Sequence, residues 1–393
     1  MTPPVLAALG GPPAFREPVH VGRPNVLDPD RVLELIRGAL DSRWLTNFGP
    51  LVREFEQRVA ELAGARYCVA TTSATSGLQA LLTASELTGE VIVPSFTYVA
   101  TVHVLRLAGL TPVFCDIDED THNLDPREVE RLVTPRTSAI LGVHVWGRQC
   151  AVDELAKIAD RHGLKLFYDA AHAFDCGYRD RGIGGYGNAA VFSFHATKFV
   201  NAFEGGAVVT DDEELAARVR ATHFFGFDAE NRVIGLGINA KMTEASGAMG
   251  LTSIEGLPTL RAVNRERFGC YTEDLAEVPG VRLIVPGPGE YSSHHFVVVE
   301  VDPASGLDRD LMAKALRAEN VLVRKHFDPP CHRLEPYAHQ RVRRPLPATE
   351  RLSSRVMQLP TGLGISAEGV HRLCELIAAL VEHAPRVRAR LAG

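Results

Sequence analysis

A lysine and an aspartate are the residues of this chain whose types and spacing indicate chemistry. Asp169 ends the apolar run 166–169, and Lys198, 29 residues later, follows the apolar run 189–194. A lysine amine can hold an aldehyde as a Schiff base, and a buried carboxylate can keep a pyridine nitrogen protonated, so that the ring withdraws electrons from a carbanion. The ordinary alternatives are a solvated lysine and an aspartate that caps a helix. Their positions after apolar runs favour pyridoxal phosphate chemistry, with Lys198 and Asp169 as the catalytic pair.

The pattern around this pair predicts an α/β protein. Short apolar runs alternate with helical periodicity, which is typical of a mainly parallel sheet covered by helices on both faces. The predicted strands are 66–71, 91–93, 112–115, 139–143, 165–169, 189–194 and 207–210, and the predicted helices are 76–86, 98–107, 126–132, 152–162 and 213–222. The ends of such strands are where α/β proteins place their ligands.

Three regions of the chain differ in character. Residues 1–50 are rich in proline and glycine, and they predict an irregular N-terminal arm that packs across other parts of the molecule. Residues 51–265 carry the alternating pattern and predict a large domain that binds pyridoxal phosphate. A long helical segment runs from 243 toward 275. Residues 266–393 predict a small α+β C-terminal domain, with strands near 281–284, 295–301 and 321–324 and helices near 308–318 and 367–381.

The composition excludes several classes of function. The chain has 393 residues, of which 46% are hydrophobic and 23% charged, as in a globular enzyme of more than one compact unit. A net charge of −6 without a basic run argues against nucleic-acid binding. The seven cysteines lack metal-ligand spacing, so we expect reduced thiols, no metal site and a cytoplasmic location. We expect no signal peptide and no membrane span, because no apolar stretch reaches about 18 residues.

Residues after other predicted strands can complete a cofactor site. The segment 71–78 ends a strand and opens a helix, so its N–H groups, hydroxyls and helix dipole can bind a phosphate; a helix cap without a ligand is the alternative. Ser193 can add a hydroxyl. Tyr98 can stack on the pyridine ring or pack in the core. His172 can contact the ring or its phenolic oxygen, or it can be a polar turn residue.

Several motifs in order resemble one known family over nearly the whole chain. They are Asp-Ala-Ala-His at 169–172, Ser-Phe-His-Ala-Thr-Lys at 193–198, Glu-Gly-Gly at 204–206 and Asn-Ala-Lys-Met-Thr-Glu at 239–244, together with segments 44–50, 143–147 and 329–332. These segments are similar to the sugar aminotransferases of the DegT/DnrJ/EryC1/StrS family. The resemblance implies an α/β fold, the aspartate-aminotransferase-like fold type I of pyridoxal-phosphate-dependent transferases, and a homodimer or larger assembly with shared active sites.

The resemblance also implies roles for individual residues. Lys198 would hold the cofactor, Asp169 would contact its ring nitrogen and Tyr98 would stack on the ring. Thr75, Ser193 and the Ala74 amide would bind the phosphate, and Asn239 would reach the phosphate of the neighbouring subunit's cofactor. The chain departs from many members in having Ala74 in place of glycine and Lys241 in place of arginine.

The implied reaction is transamination of a nucleotide-linked keto sugar with L-glutamate as donor. Segments 193–206 and 239–244 are similar to the bacterial branch that aminates carbon 4 of dTDP-4-keto-6-deoxy-D-glucose. The expected product is dTDP-4-amino-4,6-dideoxy-D-glucose, a precursor of amino sugars on secondary metabolites such as antibiotics. Trp44, Thr46 and Phe48 are candidates for the wall on the sugar side.

Three alternatives stay open. A 3-keto sugar or keto-inositol aminotransferase would use the same catalytic residues. A pyridoxal-phosphate-dependent sugar dehydratase is disfavoured, because the dehydratases that resemble this chain carry histidine where it has Lys198. A cofactor-free α/β binding or regulatory module would show no yellow colour and no cofactor absorbance.

Overall fold

The computed structural model describes residues 6–391 of the chain. Its strands are β1 (Val19–His20), β2 (Tyr67–Thr71), β3 (Glu90–Pro94), β4 (Thr111–Cys115), β5 (Thr137–Val143), β6 (Lys165–Asp169), β7 (Gly177–Tyr178), β8 (Arg181–Gly182), β9 (Ala189–Ser193), β10 (Gly206–Thr210), β11 (Val281–Leu283), β12 (Glu290–Tyr291), β13 (Val297–Val301), β14 (Val321–Leu322) and β15 (Val356–Leu359). Its α-helices are α1 (Pro29–Ser42), α2 (Pro50–Ala63), α3 (Ala74–Ala84), α4 (Val99–Leu107), α5 (Pro126–Leu132), α6 (Val152–His162), α7 (Glu213–Thr222), α8 (Glu244–Glu255), α9 (Leu257–Asp274), α10 (Arg309–Ala318), α11 (Glu335–Ala338), α12 (Pro347–Ser353), α13 (Ala367–Glu382) and α14 (Ala384–Leu391).

A seven-stranded sheet in the order β2-β10-β9-β6-β5-β3-β4 positions the residues predicted for the site. Strand β10 runs antiparallel to both of its neighbours, and the other pairs are parallel. The carboxyl ends of β2, β3, β6 and β9 therefore meet at one edge, with Thr71, Pro94, Asp169 and Ser193. Gly206, at the start of β10, pairs with both Thr71 and Ser193.

Apolar residues on both faces explain why these runs form strands. All residues of β3, β9 and β10 are buried. Successive side chains alternate, so Phe192 packs in a cluster with α2 and α6, while Val191 packs in a cluster with α3, α4 and α7. Branched and aromatic side chains suit strands that are covered on both sides. The predicted α/β sheet with helices on both faces is confirmed.

The prediction of an irregular N-terminal arm is wrong for its second half, which contains α1. Asp28 caps this helix, since its carboxylate accepts the N–H of Arg31 at 2.9 Å, and Pro29 stands in the first turn, where a missing N–H is harmless. Val32, Leu35, Ile36 and Ala39 have helical spacing and are a usable signal for α1, although the prolines and glycines around the helix favour irregular structure. Earlier arm residues do pack on the C-terminal part, where the Ala7 N–H donates to Glu319 at 2.6 Å.

The helical segment predicted from 243 toward 275 is two helices rather than one. Thr243 caps α8 by accepting the N–H of Ser246 at 3.2 Å, and α8 ends at Glu255. Helix α9 then begins at Leu257 with a proline in its first turn. A proline lacks the N–H that an uninterrupted helix would need at that point, so the chain starts a new helix there.

The C-terminal part has its own core. Strands β11, β13 and β15 form an antiparallel sheet, and residues of α9, α10 and α13 such as Tyr271, Leu316 and Leu373 pack with it. Strand β14 pairs in parallel with β1 of the arm. The arrangement is α+β, and the domain boundaries at 50 and 265 stay a prediction. Among residues 6–391, none of the helices combines the length and the apolar character that crossing a membrane requires.

Candidate active site

A cavity of about 450 Å³ lies at the edge of the large sheet where β2, β3, β6 and β9 end, and the C-terminal part forms its other wall. This volume is in the range of small-molecule sites. The predicted residues that line the cavity are Ala74, Thr75, Tyr98, Asp169, His172, Ser193 and Lys198.

Lys198 lies in a turn after β9, where its N–H donates to the carbonyl of His195 at 2.8 Å. Its Nζ is 5.5 Å from the ring centroid of Phe296. Burial lowers the pKa of Lys198 to about 8; the charge of Asp169 opposes this shift, and the guanidinium of Arg324 adds to it. At neutral pH a larger fraction of the amine is therefore unprotonated than in an exposed lysine, and the unprotonated amine is the nucleophile.

Asp169 is buried at the end of β6, and each of its carboxylate oxygens accepts a hydrogen bond. Thr101 Oγ1 donates to Oδ2 at 2.8 Å, and the N–H of Ala171 donates to Oδ1 at 3.0 Å. Burial raises the pKa of Asp169, against the effect of these hydrogen bonds and of the Lys198 charge. A cationic N–H in the cavity would favour the carboxylate form, so the position suits a protonated ring nitrogen.

The N-terminus of α3 presents N–H groups to the cavity. Ser73 and Ser76 form a capping box, in which each backbone N–H donates to the other residue's Oγ at 3.1 Å. Ala74 and Thr75 are the first two helical residues, and their N–H groups have no intrahelical acceptor. Together with the positive end of the helix dipole, these N–H groups form a site for an anion.

Gly206 lets β10 approach this helix start. A Cβ at residue 206 would lie 2.4 Å from Ala74 N and 2.4 Å from the carbonyl carbon of Ser73. These distances are too short for any side chain. Across the sheet, Ser193 pairs with Gly206 and lines the cavity. Its Oγ accepts the N–H of His195 at 3.4 Å, so its O–H remains able to donate to a phosphate.

Two predicted aromatic residues border the cavity. Tyr98 is the residue before α4 and is 59% exposed, so its ring is accessible to a flat ligand. His172 stacks on Trp146, with centroids 5.7 Å apart and an 18° interplanar angle, and its Nδ1 accepts the backbone N–H of Trp146 at 3.4 Å. Burial lowers the pKa of His172 well below its usual range, so the ring is neutral and carries its proton on Nε2.

Asn239 lies outside the cavity of its own chain. Its Oδ1 accepts from Lys241 Nζ at 2.5 Å, and this Nζ is 4.6 Å from the ring centroids of both Phe224 and Phe225. Lys241 therefore holds the Asn239 side-chain carbonyl, and among residues 6–391 the Asn239 NH₂ group has no acceptor. Its role at a neighbouring subunit's phosphate stays a prediction.

The three residues predicted for the sugar wall also lie away from the cavity of their own chain. Trp44 is 44% exposed, and Thr46 is exposed next to it. Phe48 packs on Phe224, with ring centroids 5.4 Å apart. Phe224 pairs with Asn239 in an isolated bridge, so Phe48 lies beside the segment that carries Asn239. Contact of Trp44, Thr46 and Phe48 with a sugar stays a prediction.

Sequence reasoning missed several residues of the cavity. Thr101, which lies behind the cavity in α4, was also missed, because no local sequence pattern indicates its hydrogen bond to Asp169. Arg324 and Gln358 come from the C-terminal part, and Phe296 comes from the segment before β13. The end of the strand predicted at 321–324 was a usable signal for Arg324, since polar residues at strand ends are candidate ligand contacts.

The donors of the cavity fit the polar groups of pyridoxal 5'-phosphate. The start of α3 with Thr75 and Ser193 suits the phosphate, Asp169 suits the ring nitrogen, and Lys198 suits the aldehyde. A sheet with one antiparallel strand and this site at its edge define a pyridoxal-phosphate-dependent transferase of fold type I. The sequence profile of the DegT/DnrJ/EryC1/StrS aminotransferase family matches residues 28–378. The chain belongs to this family and is a pyridoxal-phosphate-dependent aminotransferase.

Individual relatives agree with this assignment. The dTDP-4-amino-4,6-dideoxy-D-glucose transaminase of Shigella dysenteriae is 32% identical over 356 residues, which are 90% of this chain and 96% of the relative. The crystal structure of DesI in the presence of its TDP-sugar product has 54% identity and a TM-score of 0.95, with 99% of each chain covered. Helicobacter pylori PseC, an aminotransferase of pseudaminic acid biosynthesis, has 26% identity and a TM-score of 0.86, covering 93% of this chain and all of PseC.

Proposed function

We propose that this enzyme transfers the amino group of L-glutamate to carbon 4 of dTDP-4-keto-6-deoxy-D-glucose and forms dTDP-4-amino-4,6-dideoxy-D-glucose. The observation that carries the proposal is one cavity that combines an amine of lowered pKa, a buried carboxylate and an anion site. The choice of sugar is supported by the 54% identity to DesI and by the transaminase name of the Shigella dysenteriae relative.

The side chains of the cavity have separate tasks in this reaction. Pyridoxal phosphate held in this cavity would supply an aldehyde that can carry an amino group and a ring that withdraws electrons. Lys198 Nζ removes the α-proton of the donor and later delivers a proton to carbon 4 of the sugar, a contribution of about 10²- to 10⁴-fold. Asp169 stabilises the positive charge on the ring nitrogen. The N–H groups of Ala74 and Thr75 hold the phosphate, and Tyr98 excludes water from one face of the ring.

A product assay tests the sugar and the position that is aminated. The purified protein with pyridoxal phosphate and L-glutamate is expected to convert dTDP-4-keto-6-deoxy-D-glucose to an amino sugar, and NMR is expected to place the amine on carbon 4. The 3-keto isomer and a keto-inositol are offered in parallel. Faster turnover of either competitor, or an amine on carbon 3, would contradict the proposed substrate and leave the aminotransferase class intact.

We also propose a homodimer with shared active sites. The segment between α7 and Asn239 exposes an apolar surface, in which Val233 is 66%, Ile234 60% and Leu236 84% exposed. Exposed apolar clusters of this kind are typical of interaction sites. Burial of this surface against a second copy would place Asn239 and the segment 44–48 beside another molecule, which supports the role that the family resemblance implies for Asn239.

The cellular setting is part of the proposal. Every cysteine of the chain lies within residues 6–391 and is an unpaired thiol, which suits the reducing cytoplasm. We propose that the product serves as a precursor of amino sugars on secondary metabolites such as antibiotics, since the sugar keeps the nucleotide that a glycosyl-transfer step needs as its leaving group.

A further inference from the structure

The cavity wall formed by the C-terminal part contains a cation that the reaction described above does not use. Arg324 follows β14 and lines the cavity together with Lys198. Its neighbour Lys325 forms an ion pair with Asp310 at 3.0 Å. In contrast, no carboxylate among residues 6–391 is within ion-pair distance of the Arg324 guanidinium. A ligand in the cavity can therefore use this charge.

The position of the guanidinium is set by Gly22. A Cβ at residue 22 would lie 3.2 Å from both terminal nitrogens of Arg324, and Gly22 itself lines the cavity with a φ of +74°. A larger residue would occupy the space that the guanidinium now fills. The Arg324 guanidinium thus packs against the backbone of the arm at Gly22, and the cavity lies on its other side.

Gln358 on β15 adds a second polar group to the same wall. Arg324 and Gln358 form an isolated antiparallel bridge, in which N–H to O=C hydrogen bonds of 3.2 Å and 2.8 Å join the two backbones. Residues paired in this way project their side chains to the same face. Gln358 lines the cavity and is only 4% exposed, and among residues 6–391 its Oε1 has no hydrogen-bond partner. A buried amide without a partner is unfavourable, so it indicates a ligand contact.

The remaining charges of the cavity favour a carboxylate at this wall. Asp169 faces the position of the ring nitrogen, and the anion site at the start of α3 belongs to a different element. Burial lowers the pKa of His295 and His326 to about 4, so both rings are neutral at pH 7. Arg324 is then the fixed positive charge beside Lys198, and an amino acid that brings its amine to this site carries a carboxylate on the adjacent carbon.

We propose that Arg324 and Gln358 bind a carboxylate of the amino-acid donor. This inference rests on the proposed aminotransferase function and assigns the donor-binding residues of the same site. The guanidinium presents two parallel N–H donors that match a carboxylate, and the Gln358 amide can turn its NH₂ end to the same group. The amino sugar product has no carboxylate, so this wall discriminates between the two substrates of the enzyme.

Measurements on the two half-reactions separate the donor from the sugar nucleotide. The holoenzymes of the wild type, Arg324→Gln, Arg324→Lys, Gln358→Leu and the control Lys325→Gln are titrated with α-methyl-L-glutamate, which binds but has no α-proton, and the visible spectrum gives the affinity. Single-turnover rates are then measured with L-glutamate and, separately, with dTDP-4-amino-4,6-dideoxy-D-glucose.

We expect Arg324→Gln to weaken binding of α-methyl-L-glutamate by about 10- to 100-fold, as for loss of a hydrogen bond to a charged group. Arg324→Lys is expected to lie between it and the wild type, and Gln358→Leu to weaken binding to a smaller extent. The half-reaction with the amino sugar is expected to stay within about threefold, and Lys325→Gln to match the wild type in both.

Two results would overturn the inference. One is unchanged affinity of Arg324→Gln for α-methyl-L-glutamate. The other is an equal or larger defect with the amino sugar, which would assign Arg324 to the phosphates of the nucleotide. If the wild type reacts with glutamate but not with this amino sugar, the proposed sugar is wrong, and the comparison of donor affinities still decides the role of Arg324.

Discussion

Burial acts in opposite directions on the two ionisable groups that face each other in the cavity. It lowers the pKa of Lys198 to about 8 and raises the pKa of Asp169, so each group is shifted toward its neutral form. A free amine suits attack on an aldehyde. The charged form of a buried carboxylate is strongly stabilised by a cationic partner such as a protonated ring nitrogen. Perturbed groups of this kind cluster at functional sites, and here both lie at strand ends.

The pH dependence of cofactor capture tests the state of Lys198. Protonation blocks the amine below its pKa, so the rate at which apoenzyme binds pyridoxal phosphate covalently is expected to rise with pH and to level off above about 8. Borohydride reduction and peptide mapping locate the bond on Lys198. Lys157→Ala, at an exposed position of α6, serves as the control. A rate that keeps rising to pH 10, or a label on another lysine, would show that the Lys198 amine is not the one described.

Asp169→Asn tests the partner of the ring nitrogen. The amide keeps the shape of the side chain but cannot favour a cationic ring, so we expect retained cofactor and a loss of about 100-fold or more in the transamination rate. Absorbance measures the cofactor content, and single-turnover kinetics measure the rate. Asp160→Asn at the surface is the matched control. Normal transamination by Asp169→Asn would exclude Asp169 as the group that holds the ring charged.

At the scale of elements, the anion site depends on the contact between two segments that are far apart in sequence. Helix α3 supplies the N–H groups of Ala74 and Thr75, and β10 supplies the glycine that lies against them. The backbone of Ser73 and Ala74 cannot move without disturbing the capping box. The site is therefore sensitive to the size of residue 206.

Gly206→Ala is expected to weaken cofactor binding by at least about tenfold. The added Cβ would lie 2.4 Å from Ala74 N, so the start of α3 must shift away from β10 and its N–H groups must turn from the phosphate. Equilibrium titration of the apoenzyme with pyridoxal phosphate measures this change, and circular dichroism checks the fold. Gly38→Ala in α1, where a Cβ meets no atom within 4 Å, is the control. Equal affinities of Gly206→Ala and the wild type for pyridoxal phosphate would show that the phosphate site does not depend on the size of residue 206.

Most of the elements that carry the site could be predicted from the sequence, because they are long buried runs with clear ends. Strand β6 and helices α5, α6 and α7 begin and end at the predicted residues. Helix α1 could have been predicted from the helical spacing of its apolar residues after Asp28 and Pro29, but the prolines and glycines of the arm favour irregular structure. Lys198 and Asp169 could be predicted as site residues, because Asp169 ends a strand and Lys198 follows one. Thr101 and Gln358 were not, because their contacts arise only when separate elements pack.

At the scale of the whole molecule, the chain has an exposed apolar surface beside Asn239, a predicted site residue that does not line the cavity. Leu236 and Asn239 belong to it, and Phe48 packs at its base. This arrangement could not be derived from one chain's sequence, because a shared site depends on how two copies pack. A shared site would also explain why Trp44 and Thr46 do not line the cavity of their own chain.

Subunit complementation tests the shared site. Lys198→Ala and Asn239→Ala are each expected to have low activity as separate dimers, because each lacks one contributor to every site. After subunit exchange, the mixed dimer contains one site with both wild-type residues, so we expect recovered activity of up to about one quarter of the wild type. Native mass spectrometry of differently tagged chains confirms exchange. Confirmed mixed dimers without recovered activity would exclude a shared site.

The single antiparallel strand of the large sheet has a consequence for the order of assembly. Strand β10 separates β2 from β9, so the first and the later strands of the sheet cannot join until residues 206–210 have left the ribosome. More than a hundred residues separate the start of α3 from Gly206, so the phosphate site stays incomplete until β10 has been synthesised. Cofactor binding is therefore expected only after translation has passed residue 210.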